Sequence, residues 1–192
     1  MSLGVKIGET YTDFSQGSLR DTGNTYDLAL SGDGFFNIEF TNKAGETSTK
    51  YTRAGNFTLT KEGYLTTKDG DYVLGENGRI QLSTTAGNTV IMEDGSIYQD
   101  DVLVTKLKIT EFEDTNYLTH YGESMWDAKE GAVANDATDF RVHQGYVEMS
   151  NISVVTEMVN MISIQRQYEA NQKLITTYDE SLDKSVNQIG RV

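Results

Sequence analysis

The strongest constraint on the fold is an abrupt change of pattern near residue 151. Residues 152–189 contain neither glycine nor proline, whereas glycine recurs throughout the preceding sequence. A stretch without helix breakers predicts one helix, which would begin at an N-cap chosen from Ser150, Asn151 and Ser153 and end before Gly190. At 1.5 Å per residue such a helix would measure about 57 Å. We therefore expect a chain of two unlike parts, with the long helix second.

A narrow apolar stripe runs along this predicted helix. From Val154 to Ile189 the stripe positions are spaced alternately by three and four residues, interrupted by Glu157, Asn171 and Ser185. Such spacing is typical of a coiled-coil seam, in which one polar residue such as Asn171 sets the register. The alternative is a helix packed on its own β domain. The predicted assembly residues, called the seam below, are Val154, Met161, Ile164, Tyr168, Asn171, Ile175, Tyr178, Leu182 and Ile189.

The preceding residues have the pattern of a β domain. Short runs of alternating apolar residues are separated by Gly, Asp and Asn, with a turn signal about every eight residues, as in sandwiches and barrels. Asp69-Gly70, Asn77-Gly78 and Asp94-Gly95 predict type I′ hairpin turns. The predicted strands include residues 27–30, 35–40, 56–60, 79–82, 89–92, 102–112 and 140–148.

These patterns together predict the fold class and its divisions. We expect a mainly β protein, a glycine-turn-rich domain of sandwich or barrel type with complex topology, followed by one long C-terminal helix of coiled-coil type. Residues 1–26 would form an extended lead-in, residues 27–150 the β domain, and residues 151–192 the helix. Residues 115–139 show no clean period, so they are expected to be irregular.

Charge excludes some classes of partner. The 192-residue chain carries a net charge of −13. Residues 1–150 hold 24 acidic and 12 basic side chains, whereas residues 151–192 hold 5 and 4. An acidic body argues against binding to nucleic acid, which requires clustered Lys and Arg. No apolar window predicts a transmembrane helix, and the N-terminal residues do not resemble a Sec-type signal.

The residues also argue against catalysis, a metal site or a cofactor. His120 and His143 are the two histidines, the chain has no cysteine, and no G-x-S-x-G nucleophile motif is present. Turn chemistry explains the Asp-Gly pairs, which lack the register of a calcium loop. Residues 31–34 (SGDG) are followed by strand-like sequence rather than a helix, so a dinucleotide cradle is not expected. No catalytic, cofactor-binding or metal-binding residue is therefore predicted, and no small-molecule substrate.

Several stretches, taken in order, resemble the flagellar basal-body rod and hook protein family. The clearest is residues 27–36 (DLALSGDGFF), and the order of the segments is more specific than any one of them. The segments are residues 13–19 (DFSQGSL), 22–24 (TGN), 27–36, 51–57 (YTRAGNF), 144–151 (QGYVEMSN), 157–162 (EMVNMI) and 165–171 (QRQYEAN). The C-terminal segments look most like those of the distal-rod type, with proximal-rod and hook proteins as alternatives.

The resemblance implies a structural axial subunit of the bacterial flagellar basal body, without enzymatic activity. Such subunits assemble helically with further copies and with neighbouring rod and hook proteins, transmit torque and line the export channel. The resemblance further implies export through the flagellar type III apparatus, to a position outside the cytoplasmic membrane, without a Sec signal. Family members begin with a helical segment that this sequence is expected to lack. A functional alternative of another class is a cell-wall glycan-binding β module on a helical stalk, with its site around Trp126.

Overall fold

The computed structural model describes residues 11–42 and 45–186. The chain divides into two compact units between Asn151 and Ile152. The first unit contains all of the described strands, and the second contains the single described α-helix. Each unit is described by itself below.

The strands of the first unit are short, and most are joined by tight turns. They are β1 Leu19–Asp21, β2 Leu28–Gly32, β3 Phe35–Thr41, β4 Thr47–Thr52, β5 Thr58–Leu59, β6 Leu65–Thr66, β7 Tyr72–Gly75, β8 Gly78–Arg79, β9 Thr89–Ile91, β10 Ser96–Gln99, β11 Val102–Lys106, β12 Ile109–Phe112, β13 Leu118–Tyr121, β14 Met125–Ala128, β15 Ala134–Asp136, β16 Phe140–Gln144 and β17 Tyr146–Glu148.

The described strands of this unit form four antiparallel sheets. The largest has ten strands, with the path β13-β14-β4-β3-β7-β6-β5 and with β12, β15 and β8 pairing beside it. A three-stranded sheet follows the order β11-β10-β9, and two further pairs join β2 to β16 and β1 to β17. The last two pairs bring strands from opposite ends of the unit together, so its closure depends on residues far apart in sequence.

The apolar core lies between these sheets. Alternation along β3 directs Phe36 and Ile38 into the main core, while Phe35 faces a second cluster with Phe112 and Leu118. Neighbours on a strand point to opposite faces, so the two adjacent phenylalanines serve two separate clusters. The main cluster contains Leu28, Leu30, Phe36, Ile38, Phe57, Leu65, Val73, Ile80, Leu82, Ile91, Ile97, Leu107, Ile109, Met125 and Val142.

The predicted type I′ turns are wrong in their backbone conformation. Gly70, Gly78 and Gly95 have φ of 96°, 106° and 84°, but the Asp or Asn before each of them does not have a positive φ. A type I′ turn needs both central residues in that region. The conformation occurs instead between β10 and β11, where Asp100 and Asp101 have φ of 48° and 65°.

Two predicted strands are each interrupted. The run 102–112 splits into β11 and β12, because β11 pairs with β10, Leu107 forms an isolated bridge with Gly75, and β12 pairs with β3 from Ile109 onward. The run 140–148 splits into β16 and β17 at Gly145, whose φ is 81°. In both cases the chain changes its pairing partner, which alternation alone does not reveal.

Residues 115–139 are more regular than their sequence pattern indicates. They contain a 3-10 turn at Thr115–Tyr117 and the strands β13, β14 and β15. Strand β14 pairs with both β13 and β4, so this segment extends the large sheet. The expectation of an irregular region is therefore wrong for these strands.

The second unit is an α-helix, α1, at Val154–Lys184. Ser153 is the N-cap, and its side chain accepts a hydrogen bond from the Thr156 N–H. The 31 helical residues correspond to about 47 Å. The predicted stop at Gly190 lies outside the described residues. The predicted class, mainly β followed by one long C-terminal helix, is confirmed, whereas its coiled-coil character remains a prediction.

Candidate functional site: the exposed helix and the junction before it

The eight seam residues from Val154 to Leu182 lie exposed on α1. No residue of this helix within the described part of the chain is buried. Spacing of three and four residues places the seam positions on one face. The exposed fractions are Val154 66%, Met161 69%, Ile164 66%, Tyr168 68%, Ile175 63%, Tyr178 71% and Leu182 62%. Asn171 is exposed among them, and Ile189 lies outside the described residues.

Exposed apolar residues in a row favour association. Fully burying one Leu, Ile or Met side chain is worth about 1.5–3 kcal/mol relative to leaving it in water. Several such residues on one face exceed what scattered surface residues of a monomer explain. Such a stripe is typical of helices that pack against a partner helix.

Just before the helix, Asn151 ties the end of the β unit to its lead-in, defined as described residues 11–26. The Asn151 Nδ2 group lies 3.1 Å from the backbone oxygens of Asp13 and Ser15 and 3.0 Å from the Ser15 hydroxyl. Asn151 was one of three N-cap candidates, but its amide donates to the lead-in; Ser153, another of the three, caps the helix. The contacts of residues 13–17 with residues 148–151 are called the junction below.

Gln16 and Gly17 hold the lead-in against the sheet. The Gln16 amide donates to the Leu30 carbonyl at 2.8 Å and accepts from the Gly32 N–H at 3.3 Å. The Gly17 N–H donates to Glu148 Oε1 at 2.9 Å. A Cβ on Gly17 would lie 1.8 Å from the Met149 carbonyl oxygen, so this close approach requires glycine.

Arg53, which follows strand β4, also contacts the junction through Glu148. One of its terminal nitrogens donates to the Gly32 carbonyl at 2.7 Å, and the other lies 3.6 Å from Glu148 Oε2. The guanidinium also lies over the Phe35 ring, 5.4 Å from its centroid. The Arg53 and Glu148 side chains are only 18% and 11% exposed, so removing one partner would leave the other charge buried without its counterion.

Aromatic packing anchors the same segment. The Phe14 ring centroid lies 4.8 Å from that of Trp126 and 5.9 Å from that of Phe35. Phe35 in turn packs edge-on against Phe112, whose ring meets Tyr51. Such edge-to-face pairs add about 0.5–1.5 kcal/mol beyond their area burial. The lead-in is thus held by apolar contacts as well as by hydrogen bonds.

The pKa values of two groups in and beside the lead-in are shifted by their surroundings. The Ser15 backbone N–H and hydroxyl donate to the Asp13 carboxylate and hold the pKa of Asp13 below its usual value. In the neighbouring cluster, burial and then the Asp127 carboxylate raise the pKa of the Tyr51 phenol. Both groups are therefore in their usual charge state near neutral pH, with Asp13 ionised and Tyr51 neutral.

The junction was not predicted from the sequence, although the segments that form it were singled out. Residues 13–19, 27–36, 51–57 and 144–151 carry the family resemblance, and the structure brings all four together at this place. The contacts of Gly17, Arg53 and Glu148 form it, and nothing in the local sequence marks these residues as partners. Their partners lie up to 131 residues away, so local pattern could not pair them.

Neither histidine lies in a catalytic arrangement among the described residues. The His120 ring is 5.0 Å from the Trp126 ring, and the His143 ring is 6.2 Å from that of Tyr146. Within the described part of the chain, no three His, Asp or Glu side chains are grouped as they would be to hold a metal ion. The one helix that the structure describes does not have the length and apolarity needed to span a membrane.

The arrangement defines a class of protein. Its distinctive residues pack a junction rather than present reactive groups, and its long helix presents an uncovered apolar stripe. These are features of a structural subunit.

Comparison with known proteins identifies the family. Residues 29–99 match the family description "Flagellar hook protein FlgE/F/G D1 domain", and residues 143–189 match "Flagellar basal body rod FlgEFG protein C-terminal". The chain belongs to the flagellar basal-body rod and hook protein family.

Individual relatives support this assignment over most of the sequence. The chain is similar to flagellar basal-body rod protein FlgF of Caulobacter vibrioides, with 32% identity over 94% of this chain and 72% of the relative. FlgF of Mesorhizobium japonicum is 34% identical over 95% and 75% of the two chains. FlgG of Bacillus subtilis is 34% identical over 97% and 74%.

Several conclusions follow from the family. The protein is a structural subunit of the flagellar basal-body rod, it is not an enzyme, and it assembles with other rod and hook axial proteins. The protein is located in the flagellar basal body. The relatives include FlgG proteins, the distal-rod type that the C-terminal segments were expected to resemble.

Proposed function

We propose that the seam of α1 is the surface through which copies of this chain polymerise. The observation that carries the proposal is the row of apolar side chains on one face, each more than 60% exposed, from Val154 to Leu182. Repeated heterologous contacts that do not close generate an open helical assembly. In such an assembly the helices line the central export channel, and the β domains stiffen the wall that transmits torque.

The junction supports a mechanical role. Force applied along the chain at residue 151 reaches the lead-in through Asn151 and the interior of the β unit through Glu148 and Arg53. Several non-covalent bonds that are loaded together resist opening better than bonds that are loaded one after another. We further propose that the subunit leaves the cell through the flagellar export apparatus, without a Sec signal, to act outside the cytoplasmic membrane.

The glycan-binding alternative receives less support from the geometry. A sugar-binding aromatic presents an open ring face, but Trp126 is half-buried, with Phe14 4.8 Å and His120 5.0 Å from its ring. Titration of cell-wall fragments against Trp126 fluorescence separates the two functions. A rod subunit gives no saturable change.

The seam is tested by placing charges on it. The triple variant Ile164→Lys, Ile175→Lys, Leu182→Lys puts three ammonium groups where apolar contacts are proposed. Lysine has a helix propensity close to that of leucine and better than that of isoleucine, so α1 should still form. We expect polymerisation, measured by sedimentation, to weaken by at least tenfold, while the near-ultraviolet circular dichroism of the β unit is unchanged.

A matched control carries the same charge away from the seam. Ser163→Lys, Ala170→Lys and Thr177→Lys lie on another face of α1, are exposed, and repeat every seven residues. This variant is expected to polymerise like the parent. If the two triple variants behave alike, the seam is not the polymerisation surface.

A further inference from the structure

The turn between β7 and β8 carries the sequence Asn77-Gly78 at its tip. Asn77 is the one asparagine of the chain that is followed by glycine. Both residues are exposed, and a Cβ built on Gly78 would meet nothing beyond its chain neighbours within 4 Å. The peptide nitrogen that follows Asn77 is therefore sterically open to the Asn77 side chain.

The Asn77 side chain is also free to move. Within the described residues its amide makes no hydrogen bond. Other exposed asparagines are held in place, since the amide of Asn116 donates to Asp114 at 2.7 Å and that of Asn151 donates to the lead-in. A side chain without such bonds can turn toward the next peptide group, whereas a bonded one must first lose its partner.

We propose that Asn77 is a deamidation site, at which the side-chain amide is lost in a reaction with the backbone. The Gly78 nitrogen loses its proton and forms a bond to Asn77 Cγ. The bond between Cγ and Nδ2 breaks, and ammonia leaves with that proton. The product is a five-membered succinimide ring, and its closure is least hindered where the following residue has no Cβ.

Water then opens the ring and completes the reaction without any oxidant or reductant. Addition at Cγ breaks the new bond and leaves an ordinary aspartate at position 77. Addition at the main-chain carbonyl breaks the original peptide bond instead and leaves isoaspartate, whose main chain runs through Cβ and Cγ. Either product adds one negative charge to a chain whose net charge is already −13.

The hairpin slows the reaction but does not prevent it. Gly78 is paired with Gly75, and Arg79 is paired with Leu74, so the nitrogen must leave this ladder before it can attack. Strand β8 consists of these two residues alone and pairs with β7. Short exposed elements open locally far more often than the whole domain unfolds. The folded chain is therefore expected to react more slowly than the unfolded chain, but at a measurable rate.

The isoaspartyl product would disturb a contact between the hairpin and β3. Arg79 Nε lies 3.2 Å from both carboxylate oxygens of Glu39, and the guanidinium lies 4.3 Å from the centroid of the Tyr72 ring. Isoaspartate inserts one methylene into the main chain just before Gly78. The pairing of Gly78 and Arg79 with β7 then cannot be kept unchanged, so Arg79 is displaced from Glu39.

Peptide mass spectrometry of the aged full-length chain tests the proposal. The folded protein is incubated at mildly alkaline pH, and trypsin then releases residues 69–79, because Lys68 and Arg79 bound this peptide. We expect the peptide to gain the mass difference between an amide and an acid, and to separate into aspartyl and isoaspartyl forms. Conversion at Asn77 should exceed that at Asn88 by at least tenfold, because Asn88 is also exposed but is followed by the β-branched Thr89.

Two controls and a second measurement complete the test. Asn77→Gln, whose longer side chain would have to close a six-membered ring, should remain unconverted. If Asn77 keeps its amide in the folded chain, or converts no faster than Asn88, the inference is overturned, even if the urea-unfolded chain reacts.

The isoaspartyl form, isolated by anion exchange through its added charge, tests the effect on the hairpin. Its Arg79 amide hydrogen should exchange at least tenfold faster than in the parent, and an unchanged rate would show that the contact with Glu39 is not disturbed. The reaction needs no neighbouring copy, so these results are independent of the seam.

Discussion

At the scale of single residues, the hairpin turn between β10 and β11 has an uncommon pair of residues at its centre. Its two-residue loop is Asp100-Asp101, and both residues have positive φ, which residues other than glycine seldom adopt. Asp100 has a compensating role, since its carboxylate accepts from the Asn88 N–H at 3.1 Å and the Gly87 N–H at 3.4 Å. Asp101 is exposed, and no such bond is described for it.

Because no described hydrogen bond of the Asp101 side chain offsets its positive φ, two substitutions of Asp101 should have opposite effects on stability. Asp101→Gly creates Asp-Gly, the preferred pair for this turn, and should raise the free energy of unfolding by about 0.5 kcal/mol. Asp101→Ala keeps a Cβ in the left-handed region without a polar side chain, and should lower it by about 1 kcal/mol. Urea denaturation measures both. Equal effects of the two variants would show that this backbone conformation does not limit stability.

At the scale of elements, the sequence pattern predicted the helix and the strands that depend on neighbouring residues. It did not predict the strand boundaries and pairings that depend on distant residues. The helix and the buried strands β2 and β3 follow from local spacing and were found, and Ser153, one of the three candidate N-caps, caps the helix. The split of 102–112 and the strands within 115–139 were missed, because each depends on a pairing partner elsewhere. The seam residues were read from spacing, whereas the junction needs contacts between residues up to 138 positions apart.

The junction gives a prediction for Gly17. In Gly17→Ala the new Cβ would lie 1.8 Å from the Met149 carbonyl oxygen, which is a backbone atom rather than the end of a flexible side chain, so the lead-in must shift. Overpacking of this kind should lower the free energy of unfolding by about 1–3 kcal/mol. Denaturation followed by Trp126 fluorescence measures it. Gly87→Ala is the control, since its Cβ would meet a single atom, Asp100 Oδ1, at 3.5 Å and its φ is not positive. Comparable losses in both variants would contradict a specific role for the close approach at Gly17.

At the scale of the whole molecule, charge and assembly oppose each other. A net charge of −13 makes copies repel, while the proposed contacts are apolar. Raising the salt from about 0.02 to 0.2 M shortens the Debye length from about 20 to 7 Å and screens the repulsion. We therefore expect self-association, measured by sedimentation velocity, to strengthen with added salt. Association that weakens with salt would mean that ion pairs between copies dominate instead.

The pairing of β1 with β17 also affects the order in which the chain can fold. Leu19 pairs with Glu148, so this ladder must wait until nearly the whole β unit has been synthesised. Closing so long a loop is entropically costly, and non-local pairing of this kind slows folding. A chain that stopped before residue 146 would keep β1 without its partner and the Gly17 N–H without its carboxylate. The β1–β17 pair and the junction can therefore form only after the last strand of the β unit has been synthesised.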